Sequence, residues 1–218
     1  MGLIKRFLAV NPLTKATLIL LLVAEIFNWL SMCMNDWALY DDSAANDKNK
    51  LGYGVWKRCG NQEPDPNCMD LDGWRLTWYG TFQGFAIIAF LAVNVAFFFI
   101  VLFMFVSSCV GRQEIERISA ISCFVATVFY VVAIIIFGVK FDTTYDAGYD
   151  REILMSGFYL AIAVAVLCLA AGVCAVIASI GKQQIKPSGD KGGNEEQQQQ
   201  EEQTSGSRNP IFAHGFYR

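Results

Sequence analysis

Four long apolar stretches, separated by polar segments, constrain the fold of this chain more than any other feature. They lie at about residues 13–34, 78–106, 118–139 and 153–180. The hydrocarbon core of a bilayer is about 30 Å thick, and a helix needs about 20 apolar residues to cross it. Buried helices of water-soluble proteins are rarely so long and so free of charge. The sequence therefore predicts four transmembrane helices.

The spacing of these stretches also predicts the domain organisation. A membrane domain is expected over residues 1–181, with a long loop at 35–77 and a short loop at 140–152 on one side. Residues 182–218 are polar and rich in Gly, Ser, Glu and Gln. A segment of this composition cannot bury enough apolar surface to fold alone, so we expect a disordered tail.

An even number of spans puts both termini on the same side of the membrane. The positive-inside rule favours the cytoplasm for both, because basic residues precede the first span, fill the loop after the second and follow the fourth. These residues are Lys5, Arg6, Lys15, Arg112, Arg117, Lys182, Lys186 and Lys191. The long 35–77 loop also holds basic residues, so charge alone is a weak guide.

Two cysteines in the long loop give a second indication of orientation. Cys59 and Cys68 lie close together in sequence, with Pro64 and Pro66 between them. This arrangement suits a tight turn closed by a disulfide, which persists only in an oxidising compartment. The loop would then be extracellular or lumenal. The alternative is two unrelated thiols, whereas a zinc site is disfavoured because two cysteines without a nearby histidine are a poor ligand set.

Polar side chains within the spans are few. Glu25 and Asn28 are three residues apart in the first span and share a helix face. A carboxylate at mid-membrane costs about 2.5–3.5 kcal/mol and needs a partner or a proton. Asn94 lies at a similar depth in the second span, so we expect an intramembrane polar contact between Glu25 and Asn94. For Glu25, a role in holding the helices together is favoured over a role in an ion or proton relay, because a relay usually needs several ionisable groups.

The long loop also carries spaced tryptophan, glycine and cysteine residues that resemble the W…G-L-W-x-x-C…C signature of the claudin superfamily. The matching residues are Trp37, Gly54, Val55, Trp56, Cys59 and Cys68, with valine in place of the usual leucine. Arg75 also matches an arginine that is common before the second span of claudins. The superfamily includes claudins, myelin-type peripheral and epithelial membrane proteins, and gamma subunits of calcium channels and glutamate receptors. The similarity covers about residues 10–180.

The resemblance implies a membrane all-α fold, a left-handed four-helix bundle that carries a small extracellular antiparallel β-sheet. Most of the sheet would come from the first outer loop, with one strand from the second. It also implies that Cys59 is bonded to Cys68 and that Trp37, Gly54 and Trp56 fix the sheet onto the bundle. Their role would be architectural and not catalytic.

An enzyme is not expected from this sequence. The one histidine, His214, lies in the tail, and no catalytic triad, metal-spaced Cys/His cluster or phosphate-binding glycine loop is present. No cofactor is implied, and no basic stripe suggests a nucleic-acid partner.

The resemblance implies instead a plasma-membrane protein of cell–cell junctions, acting in adhesion and forming a paracellular barrier or pore. Its partners would be the lipid bilayer and copies of itself or related claudin-like proteins, in the same or the facing membrane. One alternative is a gamma-type auxiliary subunit that docks beside the pore subunit of an ion channel or receptor. Another is a four-span protein of myelin or epithelial type that organises the membrane without sealing the space between cells.

Three smaller features complete these expectations. The first outer loop has more acids than bases, so a pore lined by it would prefer cations. Cys109 lies near the cytoplasmic edge of the second span and is a candidate for palmitoylation, with a plain thiol as the alternative. Arg218 ends the chain where many claudins have a hydrophobic residue that binds a PDZ domain, so the cytoplasmic scaffold partner stays open.

Overall fold

Four long helices and a five-stranded antiparallel sheet make up the fold. The computed structural model describes residues 7, 10–41, 50–60, 68–71, 77–106, 112–145 and 151–184. The helices are α1 (Pro12–Cys33), α2 (Thr77–Phe105), α3 (Gln113–Tyr145) and α4 (Ser156–Gln184), and each is long and apolar enough to cross a membrane. The strands are β1 (Ala38–Asp41), β2 (Lys50–Tyr53), β3 (Lys57–Gly60), β4 (Cys68–Asp70) and β5 (Arg151–Leu154). The predicted helical bundle with a small sheet is confirmed.

The sheet joins the two loops at one end of the bundle. Its strand order is β4-β3-β2-β1-β5, and every neighbouring pair is antiparallel. Strand β1 pairs with β2 through Leu39 opposite Gly52, and with the edge strand β5 through Leu39 opposite Ile153. Four strands therefore come from the long loop and one from the short loop, as the resemblance implied.

Two helices differ in their boundaries from the predicted apolar stretches. Helix α3 extends from Gln113 to Tyr145 and exceeds the predicted span of 118–139 at both ends. Hydropathy missed its polar first turn, although acids at Glu114 and Glu116 suit a helix N-terminus. Helix α4 begins at Ser156 and not at 153, because Arg151–Leu154 pair with β1 as a strand. The predicted loop at 140–152 is thus partly helix and partly strand.

The helices pack through a seven-residue repeat of buried positions. In α2 the buried residues alternate in steps of three and four over almost the whole helix: Tyr79, Phe82, Ala86, Ala89, Val93, Ala96, Ile100 and Phe103. A sustained heptad spacing is the pattern of left-handed helix packing. Three of these eight positions are alanine, and small residues allow the close backbone approach that packs helices in lipid. Other large apolar residues of α2, such as Ile88, Leu91 and Phe98, are exposed on the outside of the bundle, as expected for a bilayer-facing surface.

Two hydrogen bonds fix the relative position of α1 and α3. Thr14 Oγ1 donates to Glu116 Oε1 over 3.1 Å near the start of both helices, and Tyr130 Oη donates to Asn28 Oδ1 further along. Both pairs are 102 residues apart in sequence. Helices α1 and α3 are therefore parallel and keep one register over 14 residues, or about 21 Å.

Candidate functional site

The candidate site is the junction between the sheet and the helices, and its outermost part is a disulfide. Cys59 in β3 lies opposite Cys68 in β4, and their sulfur atoms are bonded at 2.06 Å. The predicted disulfide is confirmed, and the alternative of two unrelated thiols is wrong. The bond ties the edge strand β4 to the rest of the sheet.

We expect the loss of this bond to cost about 2–3 kcal/mol, because it closes a short loop in the unfolded chain. The double substitution C59S/C68S should lower the unfolding midpoint of the purified protein in detergent. A reductant should lower the midpoint of the wild-type protein to the same value and leave that of the double variant unchanged. A wild-type midpoint that is insensitive to full reduction would contradict this account.

Trp37 is the centre of the junction between sheet and bundle. It is fully buried, and its indole nitrogen donates to the Ser31 carbonyl over 2.8 Å. Its ring meets aromatic rings from three helices edge-on, those of Phe82, Phe137 and Phe158, at centroid distances of 5.0, 5.4 and 6.2 Å. This aromatic group fills the end of the bundle beneath the sheet.

The backbone of Trp37 extends the same junction into two strands. Its N–H donates to the Tyr53 carbonyl over 2.8 Å, and its carbonyl accepts from the Met155 N–H over 2.9 Å. Gly157, in the first turn of α4, lies so close that an added Cβ would be 2.6 Å from the indole Cδ1. A single residue, through its backbone and its side chain, therefore links the end of α1, the sheet and the start of α4.

Gly54 allows the chain that leaves α1 to pass directly against the sheet. An added Cβ would lie 2.4 Å from the Asn35 Cα and 2.8 Å from the Met34 carbonyl oxygen. The Gly54 carbonyl accepts a hydrogen bond from the Tyr79 hydroxyl, and its N–H donates to the Lys57 carbonyl over 2.9 Å. Glycine is required here by lack of space.

Trp56 occupies a different environment from Trp37. Its indole nitrogen donates to the Met32 carbonyl over 3.1 Å, near the end of α1, yet 42% of the residue is exposed. Its own carbonyl accepts from the Leu71 N–H over 2.8 Å. Trp56 therefore links the sheet to α1 at the surface, whereas Trp37 does so in the interior.

Two polar residues of α2 belong to the junction but were not predicted as part of it. Gln83 Nε2 donates to the Val55 carbonyl over 2.9 Å and to the Leu71 carbonyl over 3.3 Å. One turn earlier, Tyr79 donates to Gly54. The sequence feature that could have predicted their role is a tyrosine and a glutamine four residues apart at the start of an apolar helix. They satisfy carbonyls of the segment that follows β2.

A second polar group lies within the membrane-spanning part of the bundle. Asn28 is fully buried; its Oδ1 accepts from the Tyr130 hydroxyl, and its Nδ2 donates to the Phe90 carbonyl over 3.4 Å. The amide thus connects α1 with both α2 and α3. Tyr130 was not predicted as a polar contact, because its position within an apolar stretch gives no hint of its partner.

The structure gives Glu25 and Asn94 separate hydrogen-bond partners. Glu25 Oε1 accepts from Trp29 Nε1 over 2.7 Å, and Asn94 Nδ2 donates to the Phe90 carbonyl of its own helix over 2.9 Å. The Trp29 and Phe90 rings meet edge-on at 4.9 Å, so both polar residues lie beside the same aromatic contact. The two side chains are not joined directly, and energetic coupling between them stays a prediction.

We expect the Tyr130→Phe substitution to lower the free energy of unfolding by about 1 kcal/mol, the usual size of a hydrogen bond between membrane helices. Asn28→Leu should cost more, because it also removes the donor to Phe90. A double-mutant cycle of the two substitutions, followed by unfolding in mixed detergent micelles, should give a coupling energy of about 1 kcal/mol. Independent effects of the two changes would contradict the contact.

Two predicted site residues, Arg75 and Cys109, lie outside the described residues. Within the described ranges, no group of three His, Cys, Asp or Glu side chains is placed to hold a metal ion. The junction consists of hydrogen bonds, aromatic contacts and one disulfide. This arrangement can hold the sheet in a fixed position on the helices.

Comparison with known proteins gives one clear result. The profile of the PMP-22/EMP/MP20/Claudin family matches residues 8–175. This range covers all four helices except the last part of α4, together with every described strand. A comparison with curated protein sequences returned no match.

Proposed function

Since the chain belongs to the PMP-22/EMP/MP20/Claudin family, we propose that it is a structural, non-enzymatic plasma-membrane protein of cell–cell contacts. In this role the sheet meets a neighbouring molecule, in the same membrane or across the intercellular gap. The observation that carries the proposal is the way the sheet is held. The disulfide Cys59–Cys68 bonds the edge of the sheet, and Trp37 fixes the sheet to the helices beneath it. The sheet can therefore bind a neighbouring molecule without a change of conformation.

The proposal includes an orientation. A disulfide is stable outside the cell and is reduced in the cytosol, which favours an extracellular sheet. Helix α1 begins at the other end of the bundle, and four spans return the chain to that side. Both termini are therefore cytoplasmic in this proposal, in agreement with the basic residues that flank the spans. Epitope tags at either terminus should be detected only after the cells are permeabilised.

Localisation in an epithelium tests the junction role. In a mixed culture of tagged and untagged cells, we expect the protein to concentrate at borders between two expressing cells and to be weaker at mixed borders. The deletion of residues 185–218 is a suitable control, because it leaves every described element intact. Uniform distribution over the whole cell surface would contradict the junction role.

Purification of the protein with its partners distinguishes the junction role from that of an auxiliary channel subunit. Purification from native membranes should recover related four-span proteins or the chain itself. Recovery of a channel pore subunit in equal amount, with loss of border enrichment in cells lacking that channel, would favour the auxiliary role. If the sheet lines a paracellular pore, the acid-rich first loop predicts a dilution potential that favours sodium over chloride.

A further inference from the structure

Glu25 lies in the membrane-spanning part of α1, at a position that is open to the surroundings of the bundle. The residue is partly exposed, and the hydrogen bond between its Oε1 and Trp29 Nε1 lies on the outer side of the helix. The neighbouring outward residues Leu22, Ile26 and Trp29 are exposed by 48%, 53% and 52%. An acid is therefore set into a lipid-facing apolar surface.

The hydrogen-bonding capacity of this carboxyl group is not filled by the described residues. Oε1 accepts one bond, whereas Oε2 is buried and has no hydrogen-bond partner in the described part of the chain. Asn28 lies beside the carboxyl group and interacts with it from within the bundle, while its amide also bonds to Tyr130 and Phe90. A carboxyl group with so little compensation is costly in hydrocarbon, and acids in such positions commonly pair with another polar group.

The sequence of the four helices shows whether this chain itself can supply a polar partner for Glu25. A basic side chain complements the acid best, but the basic residues of these helices lie only towards their ends: Lys15, Arg117, Lys140 and Lys182. The shared register of α1 and α3 puts Glu25 level with residue 127, which is ten residues, or about 15 Å, from Arg117. A second copy of this chain in the same orientation would thus offer no basic group at the right depth.

We propose that Glu25 and Trp29 form a docking site, on the lipid-facing side of α1, for a transmembrane helix of another protein that carries a lysine or arginine at the same depth. The indole holds Oε1, the outer oxygen of the carboxyl group, through their hydrogen bond, and Oε1 can accept a second bond from the basic group of the partner. Leu22 and Ile26 supply the apolar surface against which the partner helix packs. The site does not depend on the junction role of the sheet.

Reconstitution with model helices tests this proposal. The full chain, with a donor dye on an N-terminal tag, is placed in phosphatidylcholine vesicles with acceptor-labelled polyleucine helices that differ at one central position. We expect energy transfer to show that the central-lysine helix binds about tenfold more tightly than its norleucine counterpart. A central-glutamate helix should bind no better than norleucine.

Variants of the chain then locate the site. Glu25→Gln should remove the preference for the lysine helix while preserving side-chain size. Val128→Gln is the matched control, because Val128 is 59% exposed and lies at nearly the same depth on α3; the preference should persist. Equal binding of the lysine and norleucine helices to the wild-type chain would overturn the proposal, even if Glu25→Gln failed to fold. A preference retained by a folded Glu25→Gln variant would overturn it as well.

Discussion

The Gly54→Ala substitution is expected to prevent the protein from reaching a stable folded state. The added methyl group would lie 2.4 Å from one backbone carbon and 2.8 Å from a backbone oxygen, both in the segment that leaves α1. Neither atom belongs to a flexible side chain, and the segment is held two residues later by the buried Trp37. We expect a loss of more than about 3 kcal/mol, beyond the usual range for an overpacked core.

Two other glycines provide graded controls for this prediction. An added Cβ at Gly52, in the strand just before Gly54, would meet its nearest neighbour at an ordinary 3.5 Å, and one at Gly84 in α2 would meet no atom within 4 Å. Fluorescence-detected size exclusion after stepwise heating should therefore show severe loss for Gly54→Ala, a small loss for Gly52→Ala and none for Gly84→Ala. Similar stability of the variants at 52 and 54 would show that the close approach can relax.

The overall architecture could be predicted from the sequence because its causes are local. Apolar stretches long enough to cross a bilayer determined the four helices, and the close spacing of Cys59 and Cys68 indicated the disulfide. The resemblance to claudins supplied the sheet and its fifth strand. Local composition failed where partners decide the structure: Arg151–Leu154 form a strand only because β1 lies beside them.

The polar contacts of the candidate site were harder to predict, because they depend on how the helices align. Glu25 and Asn94 were expected to meet because they lie at similar depth, but depth does not tell which side of a helix faces which neighbour. In the structure, Asn94 is satisfied by its own helix, and Asn28 makes the contact between helices. The 102-residue offset between α1 and α3, which brings Tyr130 to Asn28, has no signature in either helix alone.

The Trp37→Ala substitution is expected to have the second large effect, a loss of about 3–5 kcal/mol in the free energy of unfolding. It removes a fully buried side chain and leaves a cavity among Phe82, Phe137 and Phe158. It also leaves the Ser31 carbonyl without the indole donor. Trp37→Phe should retain most of the packing, lose the hydrogen bond and fall between the wild type and the alanine variant.

Trp56→Ala is the matched control for this prediction, because it removes the same kind of side chain from the same junction. Trp56 is 42% exposed and also donates one hydrogen bond to a carbonyl of α1. If burial beneath the sheet determines the contribution, Trp56→Ala should cost less than half as much as Trp37→Ala when unfolding is followed by the loss of helical circular dichroism in detergent mixtures. Equal losses at the two positions would mean that the indole hydrogen bonds, and not the aromatic packing around Trp37, hold the sheet on the bundle.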